Sequence, residues 1–176
     1  MATAAGTPYP AAMSEAADLH EHDFYAWTQA QAALLRAWPE ALRPNALDIA
    51  NLAEEIDSLG RSERGAIESH IELVVLHLLK LRCHPDQAAR RAWQKEIAAF
   101  RTRLAKLLRD NPSLRAARAA IAAGIWAPAA RQFGEELVID GFDARAALAW
   151  LPDPSEPYFD LDREVLADGW YPPPPA

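Results

Sequence analysis

The sequence predicts an all-α protein, an up-and-down bundle of about five to six helices around one central apolar helix. Three observations predict it. Apolar residues recur at three and four in successive segments, which is the spacing of one helix face. No segment shows the strict alternation of a strand. The segments are separated by short stretches rich in Pro, Asn, Gly and Asp, which stop one helix and cap the next.

The elements follow in order. Residues 1–21 are Ala, Pro, Ser and Glu without periodicity and read as a disordered tail. Asp23 is the N-cap of a first helix, because a short carboxylate accepts from the free amides of a first turn. Phe24, Trp27, Gln31, Leu34, Leu35 and Trp38 share its face, and Pro39 ends it. A second helix starts near Ala46 or Leu47 with Ile49, Leu52, Ala53, Ile56 and Leu59 on one side. Gly60 marks its end or a kink. A third helix, 62–83, is apolar nearly all round through Ile67, Ile71, Val74, Val75, Leu78 and Leu81, and is therefore the central one. Asp86 caps a fourth, 87–109, with Trp93, Ile97, Phe100, Leu104, Leu107 and Leu108 as its stripe. A fifth begins after Asn111-Pro112-Ser113 and is interrupted or kinked at Pro128. Gly141 turns the chain, Asp143 caps a short helix, and Leu161–Leu166 form a last turn or two before a proline stub at 172–176. Residues 22–171 thus read as a single helical domain.

Composition bounds the function. The chain of 176 residues has a net charge of −7 and one cysteine, Cys83. One cysteine excludes an intrachain disulfide, and Cys83 beside His84-Pro85 reads as a helix-end packing residue. No apolar run approaches the ~20 residues that span a bilayer, which argues against a membrane. The N-terminal stretch has neither a basic nor an apolar signal region, so a soluble, cytoplasmic protein is expected. The charge is unevenly spread. Lys80–Arg118 holds eleven basic and three acidic residues, a net of +8, against −15 elsewhere. Basic helices packed beside acidic segments, within the chain or across a homodimer, account for this. Nucleic acid is the disfavoured partner, since Trp93 and Phe100, the aromatics of that stretch, both sit on the apolar stripe.

Several segments together resemble a known family. They are Asp23-Phe24-Tyr25-x-Trp27, Asn51-Leu52-Ala53-Glu54-Glu55-Ile56-x-Ser58-Leu59-Gly60, His77-Leu78-Leu79-Lys80, Trp93, and Asn111-Pro112-Ser113-Leu114. Their order and spacing over residues 22–138 resemble the bacterial family named domain of unknown function 29. Ala92 stands where that family usually carries a serine before the tryptophan. The resemblance implies a helical bundle and no particular activity.

The residues that could carry chemistry lie at the borders of apolar faces. Asp48 and Glu55 are seven apart on the second helix. His70 and His77 are seven apart on the third, with Lys80 one turn beyond. If those helices pack antiparallel, Glu55 meets His77. Such a pair is either a general acid/base or a buried pair that fixes helix register. Asp48, Tyr25 and Trp93 are the binding candidates. No metal site and no cofactor is expected: Glu63, Glu68, Glu72 and Glu96 lack a histidine three residues on, so the Glu-x-x-His pattern of di-iron bundles is missing. His20-Glu21-His22 lies in the tail. Three readings remain open: a structural or interaction module, with a second copy or an acidic protein as partner; an enzyme using Glu55, His77 and Lys80; and a nucleic-acid accessory protein using 80–118. The first is favoured.

Overall fold

A computed structural model describes residues 11–151 and 153–175. The protein is all-α. Eight helices are formed among the described residues: α1 Ala11–His22, α2 Phe24–Ala37, α3 Ile49–Cys83, α4 Arg90–Asp110, α5 Pro112–Ala116, α6 Arg118–Ala122, α7 Trp126–Ile139 and α8 Ala144–Leu148. A 3-10 turn, Glu40–Leu42, follows α2, and a π turn, Leu161–Val165, closes the helical order. Among the described residues there is no strand, and no helix is long and apolar enough to cross a membrane.

The chain divides into two compact units where composition suggests one domain. The first holds the described residues up to Glu63 together with Asp110–Ser113. The second holds Arg64–Arg109 and the chain from Leu114 onward.

In the first unit, α1 is helical where the sequence reading expects a disordered tail. Alanine, the best helix former, supplies much of it. Its last turn is held by the His20 ring, 4.6 Å from Trp27 and 5.8 Å from Phe24, a contact between residues of low periodicity that a search for apolar stripes passes over. The expected tail at 1–10 lies outside the described residues. On α2 the buried residues are Thr28 and Ala32, while Leu34 and Trp38, expected in the core, are exposed.

The cause is Gly60. It does not end a helix; α3 runs unbroken from Ile49 to Cys83. A Cβ at Gly60 would fall inside the contact radius of Thr28 Oγ1 and 2.9 Å from Gln29 Nε2. The glycine therefore marks the close approach of α2 to α3, and close approach selects small side chains. A glycine inside a helix ordinarily costs ~1 kcal/mol relative to alanine. Gly60→Ala should nevertheless destabilise the protein by about 1–3 kcal/mol, the usual penalty of overpacking. Gly65→Ala, whose new methyl meets nothing within 4 Å, should stabilise it by ~0.5–1 kcal/mol. Opposite shifts of the urea midpoint in the two variants check this pair.

In the second unit the later half of α3 is buried nearly all round, with Ile67, Ile71, Val74, Val75, Leu78, Leu79 and Leu81 fully inaccessible, as the sequence predicts for a central helix. Also buried in this unit are Ile97 and Leu104 of α4, Ile121 of α6, and Trp126, Ala129, Phe133 and Leu137 of α7. Pro128 does not kink a helix. The chain breaks earlier, around Gly124, and Pro128 sits in the first turn of α7, where its missing N–H would have no partner anyway. Gly141 turns the chain at φ +82°, and Asp143 caps α8 through Ala146 N at 3.1 Å, both as predicted.

Candidate functional site

Most of the polar residues that the sequence singles out are engaged in building the two units, while Glu55 is exposed. Asp48 caps α3: its carboxylate accepts from Asn51 N at 3.1 Å and from Asn51 Nδ2 at 2.6 Å. Asp23 caps α2 through Ala26 N at 3.0 Å, and also accepts from Ser113 N at 2.6 Å and Ser113 Oγ at 2.8 Å. Tyr25 N donates to Asn111 Oδ1 at 2.8 Å, and Asn111 Nδ2 donates to Glu63 Oε2 at 3.1 Å. The Asp-Phe-Tyr and Asn-Pro-Ser segments, far apart in sequence, are thus clipped together by their polar side chains.

Glu55 and His77 share α3, and an unbroken helix keeps them on separate turns. The carboxylate that meets His77 is Glu96 of α4, with Oε2 2.9 Å from Nε2. Nδ1 donates to the Leu73 carbonyl at 2.8 Å, and the ring stands edge-on to Phe100 at 5.4 Å. Both ring nitrogens face acceptors. Lys80 turns to Glu136 of α7 at 2.8 Å. Trp93 packs its ring 5.2 Å from that of His84, which is buried and also meets Phe133 and Phe142. The His77–Glu96 pair was not found from sequence because Glu96 carries no spacing signal of its own; it lies on the charged flank of the α4 stripe.

Three arginines of the basic stretch hold the C-terminal segment. Arg101, buried inside α4, donates to three carbonyls, those of Val165 at 2.9 Å, Trp170 at 2.9 Å and Glu164 at 2.6 Å. Its guanidinium lies over the Tyr171 ring, and burial pulls it below its ordinary pKa. Arg90 donates to the Pro172 and Leu81 carbonyls, and Tyr171 Oη donates to Gln94 O at 3.3 Å. Arg118 makes a two-pronged pair with Asp162 at 2.8 and 2.9 Å. That pair holds the Asp162 carboxyl below the usual range, so its contribution is present at neutral pH and is lost as pH falls through the acid range. Both partners reach solvent, which keeps the contribution below ~1 kcal/mol.

Cys83 donates its S–H to the Leu79 carbonyl at 3.1 Å. Burial pushes the thiol up from 9.0 to about 11. A nucleophile needs the opposite shift. At pH 8 the folded protein should react with iodoacetamide roughly a hundred-fold more slowly than the urea-unfolded chain, the ratio of their thiolate fractions. Equal rates in the two states would show an open, ordinary thiol.

The larger concavities lie elsewhere. One of about 600 Å³ is lined by Arg131, Gly134, Glu135, Val138, Ile139 and Ala144. One of about 390 Å³ is lined by Trp126, Phe159, Asp160, Asp162 and alanines of α6. His77 lines neither. Among the described residues, no group of three or more His, Cys, Asp or Glu is placed to hold a metal ion.

What stands out instead is apolar surface on the first unit. Leu34, Trp38, Leu42, Leu47, Leu52 and Leu59 are all exposed there, Leu42 by 69% and Leu34 by 63%. On α3, Leu52 and Leu59 lie on one line, well round the helix from Glu54, Asp57 and Arg61. On α2, Leu34 and Trp38 likewise turn away from Gln29 and Arg36. The charged lines meet: Asp57 accepts from Arg36 at 2.8 Å, Gln29 at 3.0 Å and Arg61 at 3.0 Å, and Arg61 pairs with Glu54 at 2.6 Å. The Arg36 and Gln29 bonds hold the Asp57 carboxyl below its ordinary value. With the ion network on one side of the α2–α3 pair, the leucine lines occupy the other.

These features define an all-α protein whose polar side chains are bound into the fold and whose exposed surface carries apolar residues. The profile of Domain of unknown function DUF29 matches residues 19–171, and the chain belongs to that family. Among solved structures it is similar to an alpha-helical protein of unknown function from Rhodospirillum rubrum, with a TM-score of 0.68 and 22% identity over 86% of this chain and 90% of that one. At that identity the likeness shows the fold. No curated protein matches the chain.

Proposed function

We propose that the chain is a cytoplasmic interaction module that binds another protein through the leucine-bearing side of α2 and the first half of α3. The observation that carries this reading is the gathering of six exposed large apolar side chains, Leu34, Trp38, Leu42, Leu47, Leu52 and Leu59, on the smaller unit. Burying a leucine fully gains ~1.5–3 kcal/mol, and folding leaves part of this gain unused on all five leucines. A monomer rarely keeps so much apolar surface in one region without a use for it. The ion network opposite keeps the pair of helices soluble and in register. The occupant that suits two parallel lines of leucines is the apolar face of a partner helix. A photo-reactive phenylalanine analogue placed at Leu52 should form an adduct with a second protein in living cells, and the same group at the exposed Ala120 should not. Adducts at neither position, or equally at both, would overturn the reading.

An acid–base role for His77 is the second reading, favoured by the half-exposed Glu96 carboxylate beside a buried imidazole. The bonds at both ring nitrogens weigh against it, because a general base needs a free lone pair facing substrate. His77→Ala should cost about 1–3 kcal/mol by leaving the Leu73 carbonyl and Glu96 without their donor. Unfolding within 0.5 kcal/mol of the parent would remove the structural role and return the residue to catalysis.

A further inference from the structure

The exposed face of α7 is self-complementary, and from it we infer that two copies of this chain associate through α7 paired antiparallel with α7 of the second copy. This surface belongs to the second unit, and the leucines of α2 and the first half of α3 belong to the first.

The argument starts from the helix itself. Trp126, Ala129, Ala130, Phe133 and Leu137 are buried, which fixes the inner face. At 100° per residue the outer face is then Ala127, Pro128, Arg131, Glu135, Val138 and Ile139, with Gln132 at one edge. It is more apolar than a solvated helix face needs to be: Ile139 is 82% exposed and Val138 65%. Beside it Gly134 and Ala144 leave the open concavity of about 600 Å³, so another helix can come close. Arg131 and Glu135 are 3.9 Å apart on their own helix and largely in solvent, which leaves both able to choose a better partner.

A two-fold interface requires that if residue i meets j, then j meets i. For antiparallel helices this means that partners lie at equal distances on either side of one level. Place that level at position 133. Arg131 then faces Glu135 of the second copy, Pro128 faces Val138, and Ala127 faces Ile139. The register matches opposite charge with opposite charge and apolar with apolar at these three levels, sets the exposed Gln132 opposite Gly134, and makes each match twice by symmetry. A shift of the level by two positions would set Arg131 against Ile139 or against Arg131 of the second copy and strand the charges. The charges thus select both the orientation and the register, which is the usual part played by interfacial ion pairs.

The test is the oligomeric state of the full chain by sedimentation equilibrium. The parent chain should sediment as a dimer. Arg131→Glu sets like charges together at both symmetric positions and should raise the dissociation constant at least about ten-fold. Glu135→Arg should do the same, and the double exchange should restore the parent value. Val138→Asp should also give monomer. Each substituted residue is exposed, and unchanged circular dichroism confirms that the variants fold. A parent chain that is monomeric at every concentration would overturn the inference. So would a dimer indifferent to both the charge reversals and Val138→Asp, since its interface would then lie elsewhere.

Discussion

Arg101→Met should lower the stability of the protein by about 3 kcal/mol or more, and should loosen residues 159–172 before the rest unfolds. Arg101 is 2% exposed and is the donor for three carbonyls of the C-terminal segment. Methionine fills much of its volume but donates nothing. A buried acceptor that loses its donor bears a desolvation cost of ~1–3 kcal/mol, and three such acceptors sit around one guanidinium. Arg101→Lys should recover little, because an ammonium cannot present the planar fork that reaches three carbonyls at once. Urea unfolding measures the total, and limited proteolysis after Glu156 reports the local release. A loss under 1 kcal/mol would mean that water or a rearranged side chain replaces the guanidinium, and that the segment is held by its apolar residues, Phe159 and Val165, alone.

Asp23→Ala should cost about 2–4 kcal/mol, more than a surface helix cap. Loss of a cap alone is worth ~1 kcal/mol. Here the same carboxylate also accepts from Ser113 N and Ser113 Oγ, and hydrogen bonds to a charged group contribute roughly 1.5–3 kcal/mol each when they are shielded. Ser113→Ala should cost less, since its backbone N–H still reaches Asp23. The two substitutions should be non-additive by more than ~0.5 kcal/mol, as expected of residues in direct contact. Simple additivity in that double-mutant cycle would show that Asp23 acts only as a cap.

Much of the fold was legible in the sequence, for local reasons. Asp23, Asp143 and Gly141 act within a few residues of themselves, so their roles follow from residue type and neighbours. The later half of α3 was legible because Ile67 through Leu81 is apolar nearly all round. Gly60 was not, because a glycine that ends a helix and one that admits a neighbouring helix look alike in one dimension; Thr28, thirty-two residues away, decides between them. That misreading split α3 in two and thereby set Glu55 opposite His77. The true partner, Glu96, lies on the next helix, where only the crossing of α3 and α4 brings it to hand. The same limit applies to Leu34, Trp38, Leu52 and Leu59. Their spacing marks them as apolar-face residues correctly, but spacing does not say whether the face is covered by the chain or left for a partner. Within the basic stretch, Arg101 and Arg90 meet backbone carbonyls and Arg118 meets Asp162.

The central claim is that the exposed leucines, rather than the histidine, form the working surface. The apparent size of the chain in native extracts of its own cells tests this most directly. The protein carrying Leu34→Glu, Leu52→Glu and Leu59→Glu should run at the size of the purified chain, while the parent and a His77→Gln variant should run together as a larger species. A triple variant that runs with the parent, or a His77→Gln variant that alone changes size, would contradict the account.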